Sequence, residues 1–350
     1  MRKFMKKLIA LTLACLMLAT LFVGCGKKDD GGSSGGDTIK LGWMGSLTGD
    51  QAAYGTCESQ TLKMLVEDLN ANGGLLGKQV ELICYDTKGD AQEAVNVAKR
   101  LCAQDQVCAI IGPNASGQCI AIQSVLDQYK ISDMSTVATN EKVTMQDGQL
   151  KEYNFRVCFL DPFQGTVLAN YAYKELGVDT AYLLGMLGSD YDQGLIYYFT
   201  QAFEALGGTV VAENFPEGNA NFVSYINNAK AANAGVIFSP VSLHYAQLIV
   251  EAAAAQGFEG TILGGDTLDS NMVVEAAKGK DVDVKITTFY QEGGNPEFDA
   301  GIKEWINANA DAKTNNGGND MVSAVTVMGY DAYFTALEAI KAAGSAEPAD

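Results

Sequence analysis

Several short stretches of this chain carry side chains able to grip a small polar solute: Tyr54, Asn114–Ser116, Ala138–Thr139, Tyr191, Val241–Ser242 and Asp266–Thr267. They combine small residues, hydroxyls and a carboxylate. Such a set suits hydrogen bonding and the holding of opposite charges better than it suits bond breaking. Ser116 opens a run of helical spacing, and the first amides and positive dipole end of a helix favour an anion. Ser116 also reads as that helix's N-cap, and the two roles are compatible. Asp161 precedes Pro162, which is a helix-start signal. Catalytic parts are missing. The single histidine, His244, falls at a predicted helix start, and no nucleophile elbow occupies a strand-to-helix turn. A P-loop and a G-x-G-x-x-G fingerprint are absent. With one histidine and no C-x-x-C pair, a zinc site is not expected either. The expectation is a binding protein without enzymatic activity, metal or cofactor.

The elements that must position these residues follow a repeated pattern of strand, loop and helix. Continuous apolar runs predict strands at Ile39–Met44, Val80–Tyr85, Val107–Ile111 and Ile131–Ser135. Between them, Leu62, Leu65, Val66 and Leu69 keep helical spacing, as do Ala91 to Leu101 and Ala121 to Leu126. The second half repeats this, with strands at Ala181–Leu187, Thr209–Glu213, Gly235–Ser239 and Thr261–Leu263, and helices over Leu195–Leu206, Phe222–Ala232 and Tyr245–Gln256. Apolar strands alternating with amphipathic helices imply parallel sheets covered on both faces.

The halves echo each other in order. TGDQAAYG (48–55) answers GSDYDQG (188–194), IIGPNAS (110–116) answers IFSPVSL (237–243), and MSTVATN (134–140) answers ILGGDTLD (262–269). Two lobes of like topology are implied. Parallel sheets bind ligands beyond the carboxyl ends of their strands, where the candidate loops lie. Two such sheets facing each other form a cleft that closes about a hinge.

The N-terminus shows Arg2, Lys3, Lys6 and Lys7 before an apolar run from Leu8 to Val23, which fits a secretory signal over residues 1–24. Cys25 follows Gly24 as in a lipobox, so Cys25 is the expected lipidation site, with residues 25–36 as a flexible tether of almost no apolar content. The net charge is −18, and losing the four positive charges of residues 1–24 leaves −22. That surface repels phosphate backbones and disfavours nucleic acid. Six cysteines remain beyond Cys25, namely Cys57, Cys84, Cys102, Cys108, Cys119 and Cys158, and their pairing is open.

In combination, IKLGWMGSLTGDQAAYG, DLNANGGLLGKQVEL, IIGPNASG, STVATNEKVT and NFRVCFLDPFQG resemble the branched-chain amino acid-binding family of periplasmic binding proteins, the type I fold. The resemblance implies an α/β protein of two Rossmann-like lobes joined by a hinge. It places lobe 1 at residues 37–157 plus 289–350 and lobe 2 at 158–288. It further implies that Ala115, Ser116, Gly117, Ala138 and Thr139 hold an amino acid's carboxylate, that Asp266 and Asp161 hold its ammonium, and that Tyr54, Tyr191 and Val241 contact the rest. Val241 departs from the aromatic of the leucine/isoleucine/valine binder, which leaves side-chain specificity open. Family members continue beyond the position of Asp350, so a C-terminal truncation is expected. The implied role is extracytoplasmic capture of a small amino acid by a monomer, lipid-anchored to the cell membrane, for an ABC permease and its ATPase. A sensing module of the same fold, binding an amino acid or amide for signalling, is the alternative.

Overall fold

A computed structural model describes residues 38–316 and 318–350. The expected signal peptide, Cys25 and the tether lie outside the described residues. Two five-stranded parallel sheets form the framework. The first contains β1 (Ile39–Gly45), β2 (Val80–Asp86), β3 (Ala109–Ile111), β4 (Asp133–Ser135) and β7 (Asn154–Arg156), in the order β2-β1-β3-β4-β7. A small antiparallel hairpin, β5 (Met145–Gln146) with β6 (Gln149–Leu150), interrupts the sequence before β7. The second sheet contains β8 (Thr180–Met186), β9 (Thr209–Phe215), β10 (Val236–Phe238), β11 (Thr261–Gly264) and β12 (Asp283–Ile286), in the order β9-β8-β10-β11-β12. Both orders read 2-1-3-4-5 within their lobe, so the internal echo of the sequence is one topology used twice.

The fifth strands, β7 and β12, were not evident as apolar runs. Each lies at a sheet edge, and β12 alternates exposed and half-buried residues. An edge strand needs no continuous apolar run because solvent covers part of it.

Crossover helices supply the covering layers. In the first lobe these are α1 (Ala52–Ala71), α2 (Ala91–Arg100) and α3 (Ser116–Tyr129). In the second they are α4 (Asp161–Asn170), α5 (Asp190–Ala205), α6 (Val223–Ala231), α7 (Leu243–Ala255) and α8 (Asn271–Ala277). The chain then runs through α9 (Pro296–Ala308) and α10 (Ala310–Asn315) to α11 (Ala324–Ala343). Strand alternation divides each core between two faces. In β1, Leu41 and Trp43 pack with Leu62, Leu65, Tyr333 and Leu337, while Met44 joins Ala94, Leu101, Ile122 and Leu126 on the other side. In β8, Tyr182 and Leu184 face Ile249 and Val250, whereas Ala181 and Leu183 face Phe199 and Phe203. Tyr333 ties α11 to α1 by donating to the Leu65 carbonyl at 3.2 Å, so the last helix covers the first sheet. The six cysteines are all free thiols, which answers the question left open by their spacing. Among the described residues no helix is long and apolar enough to cross a membrane.

Candidate solute-binding cleft

The strand ends of the two sheets meet around one cavity of about 320 Å³, a size suited to a small ligand. From the first lobe it receives Tyr54, early in the helix after β1, the segment Asn114–Gln118 after β3, and Val137 after β4. From the second it receives Gly188–Asp192 after β8, Ser242 after β10, and Asp266 and Thr267 after β11. The lobes touch across it. The Tyr54 hydroxyl donates to the Thr267 carbonyl, and Asn140 Nδ2 donates to the Asp190 carbonyl at 2.7 Å.

One wall is built for negative charge. Helix α3 begins at Ser116, with Ala115 in extended conformation as its N-cap and no side-chain cap. The structure therefore moves the cap one residue earlier than the sequence suggested. The Ala115 carbonyl accepts from Gln118 and Cys119, but the amides of Ser116 and Gly117 donate to no protein acceptor among the described residues. Two free N–H groups and a helix dipole thus face the cavity. The Ser116 hydroxyl is turned to accept from the Asn140 amide at 3.3 Å, so its side chain braces the loop.

The opposite wall carries acid. Asp266 opens a single helical turn after β11 and is 7 % exposed. Gln164 Nε2 donates to its Oδ1 at 2.8 Å, and the Tyr191 hydroxyl donates to the same oxygen at 3.0 Å. Burial pushes its pKa up to about 6, against the pull of those two hydrogen bonds. Gly265 is required just before it, because a Cβ there would collide with the Tyr191 hydroxyl. Tyr191 is half-buried; desolvation of its phenol, then the Asp266 charge, raises its pKa well above the usual value.

Six of the sequence-predicted residues line the cavity together: Tyr54, Ala115, Ser116, Gly117, Tyr191 and Asp266. Four lie behind its wall. Ala138 and Thr139 are buried, with Val137 lining the cavity in their place. The Asp161 carboxylate is also buried, and its backbone amide donates to the Thr139 carbonyl at 3.0 Å. Its pKa rises to about 7, first through desolvation, opposed by the Thr139 hydroxyl, and raised further by the charge of Asp266. Asp161 sits at the first position of α4, following Leu160 as N-cap. Close approach to α5 leaves no room for a side chain at Gly194, whose Cβ would lie 2.6 Å from Asp161 Oδ2. Val241 turns into the lobe 2 core, and only its carbonyl serves the site, accepting from the Thr267 hydroxyl at 2.7 Å. A methyl-bearing side chain is drawn to the apolar core while its backbone remains at the loop. Gln164 escaped the sequence reading. Its motif, DPFQG, was visible, but nothing local tied it to Asp266.

A family model described as periplasmic binding protein matches residues 38–350. The chain belongs to the periplasmic binding protein family. The type I architecture of two parallel-sheet lobes is shared with solved structures. A leucine-binding protein of Thermotoga maritima superposes with a TM-score of 0.77 at 30 % identity, covering 89 % of this chain and 85 % of that one. A branched-chain amino acid transporter substrate-binding protein of Streptococcus pneumoniae, in complex with isoleucine, gives 0.77 at 27 % identity over 89 % and 86 %. A Leu/Ile/Val-binding protein homolog of Brucella abortus is 27 % identical over 340 residues, 95 % of this chain and 86 % of its own. A Rhodopseudomonas palustris solute-binding protein in complex with benzoate shares the fold alone, at 19 % identity, a TM-score of 0.76 and coverage of 88 % and 82 %. The relatives this chain matches are solute-binding proteins rather than enzymes. The one histidine, His244, lies exposed on α7, outside the cavity lining.

Proposed function

We propose that the protein captures a small amino acid, branched-chain or of similar size, in the interlobe cleft and delivers it to an ABC permease. The observation that carries this reading is the pairing of opposite preferences across one cavity. The free amides of Ser116 and Gly117 donate to a carboxylate on one side. The buried carboxylate of Asp266 takes an ammonium on the other. Hydrogen bonds to charged groups in such a site are the strong kind. The names of the amino-acid-binding relatives support the same ligand class.

The domain proposal is lobe 1 at residues 37–157 plus 289–350 and lobe 2 at 158–288, with Arg156–Leu160 and Ile286–Tyr290 as crossings. Cys25 is the proposed lipid anchor, and the protein is proposed to act outside the cytoplasm as a monomer. Titration calorimetry with a panel of amino acids, amides and benzoate tests the ligand class. Tight binding of benzoate with none of any amino acid would end the reading. For the anchor, Cys25→Ser is expected to move the protein from the membrane fraction to the soluble fraction. A variant that stays with the membrane would refute it.

A further inference from the structure

The head-group contacts leave polar atoms of Asn114, Gln118 and Ser242 unused in the cavity. Asn114 ends the loop after β3, lines the cavity and is 5 % exposed. Neither its Nδ2 nor its Oδ1 has a hydrogen-bond partner in the protein. Burying an amide without partners is unfavourable, so such a group is matched to something that enters the site. A carboxylate satisfies only the Nδ2 donor, since it has no proton to give. The Oδ1 acceptor requires a donor; an ammonium seated on Asp266 keeps two further N–H donors, but it is held at the second-lobe wall, whereas Asn114 lies in the first lobe. A hydroxyl or a carboxamide offers both a donor and an acceptor. Across the cavity, Ser242 Oγ from the second lobe is likewise buried and unpartnered. Val137, Met186, Val325 and Phe289 add apolar surface to the lining, beside charged residues that include Asp50, Lys88, Glu217 and Asp269.

We infer that Asn114 reads the ligand's side chain and that the preferred ligand is an amino acid of branched-chain size carrying a hydroxyl or carboxamide. This rests on the amino-acid reading above and narrows it. A wholly aliphatic side chain would seal Asn114 Oδ1 from water without a replacement donor, and sites with a buried hydrogen-bonding group reject analogues that lack its partner.

Threonine and valine, equal in shape and differing by hydroxyl against methyl, give the direct test, with serine, asparagine, glutamine, leucine and isoleucine alongside. Calorimetry on the expressed protein is expected to show at least one hydroxyl or carboxamide amino acid binding tenfold or more tightly than valine, leucine and isoleucine. Asn114→Leu, close in volume, is expected to abolish that preference while retaining amino-acid binding. Should this variant not fold, the ranking by the wild-type protein decides alone. Aliphatic ligands binding as tightly as every polar one, with water serving Asn114, would overturn the inference and leave the amino-acid reading standing. Failure of every amino acid to bind would overturn both.

Discussion

Gln164 and Asp266, 102 residues apart, hold each other at two points: Gln164 Nε2 donates to Asp266 Oδ1 at 2.8 Å, and Gln164 Oε1 accepts from the Asp266 amide at 3.2 Å. Gln164 Oε1 also accepts from the hydroxyl of Thr287, just after β12. The carboxylate proposed for the ammonium is thereby tied, through Gln164, to the segment after the first proposed crossing and to Thr287 within the second. Closure about those crossings and orientation of Asp266 are mechanically joined.

Replacing Gln164 with Met keeps the volume and removes the amide. The lost Nε2 bond favoured the charged carboxylate, so the Asp266 pKa is expected to climb above its present value of about 6. Amino-acid affinity at pH 7 should drop roughly tenfold or more, given ~1.5–3 kcal/mol for hydrogen bonds to charged groups. Binding isotherms across pH would show the acid-side loss starting at higher pH than in wild type. An unchanged pH profile would mean that Gln164 only fills space.

Asp266 itself controls the ammonium end. Its ionised form is the one that pairs with an ammonium, so affinity is expected to be level above about pH 7 and to fall as pH drops below about 6. Asp266→Ala should weaken binding by roughly 3–5 kcal/mol, the loss seen when one partner of a buried charge pair is removed. Calorimetry at pH 5, 6, 7 and 8 checks both. Retention of wild-type affinity in the variant would refute the assignment.

Tyr54 bridges the lobes through its hydroxyl to the Thr267 carbonyl. Tyr54→Phe removes that bond and little else. Its net worth of ~0.5–1.5 kcal/mol should appear as ligand release faster by roughly two- to tenfold in stopped-flow displacement. If the bridge does not stabilise the closed state, the release rate will not change.

Stability without ligand should depend on pH in an uncommon direction. Burial raises Asp266 to about 6 and Asp161, Asp192 and Glu58 to about 7 in the folded protein. Between roughly pH 4.5 and 7 the folded state therefore binds more protons than the unfolded one. The stabilisation from these groups is complete below their unfolded values and is lost as pH rises through the folded ones. Asp86, Asp283, Glu292 and Asp320 are shifted down, so their opposite effect is confined to more acid solution. Melting of the ligand-free protein is expected at higher temperature at pH 5 than at pH 8. The reverse order would show that these carboxyls are not desolvated as described.

Much of the architecture was legible because it is written in local patterns. Apolar runs separated by helical spacing define parallel sheets, and the echo of TGDQAAYG with GSDYDQG marks the same loop in each lobe. Residues at strand ends could be named from that alone, and Tyr54, Ser116, Tyr191 and Asp266 do reach one cavity. Tertiary structure decided the rest. Which way a loop side chain turns depends on what packs against it: the core took Val241, and the helices α4 and α5 enclosed Asp161. The partnership of Gln164 with Asp266 arises only when distant strands bring their ends together. Nothing in the sequence showed that Asn114, beside the helix start, is a buried amide without a partner. Burial and hydrogen-bond satisfaction belong to the whole packed surface, and no local spacing encodes them.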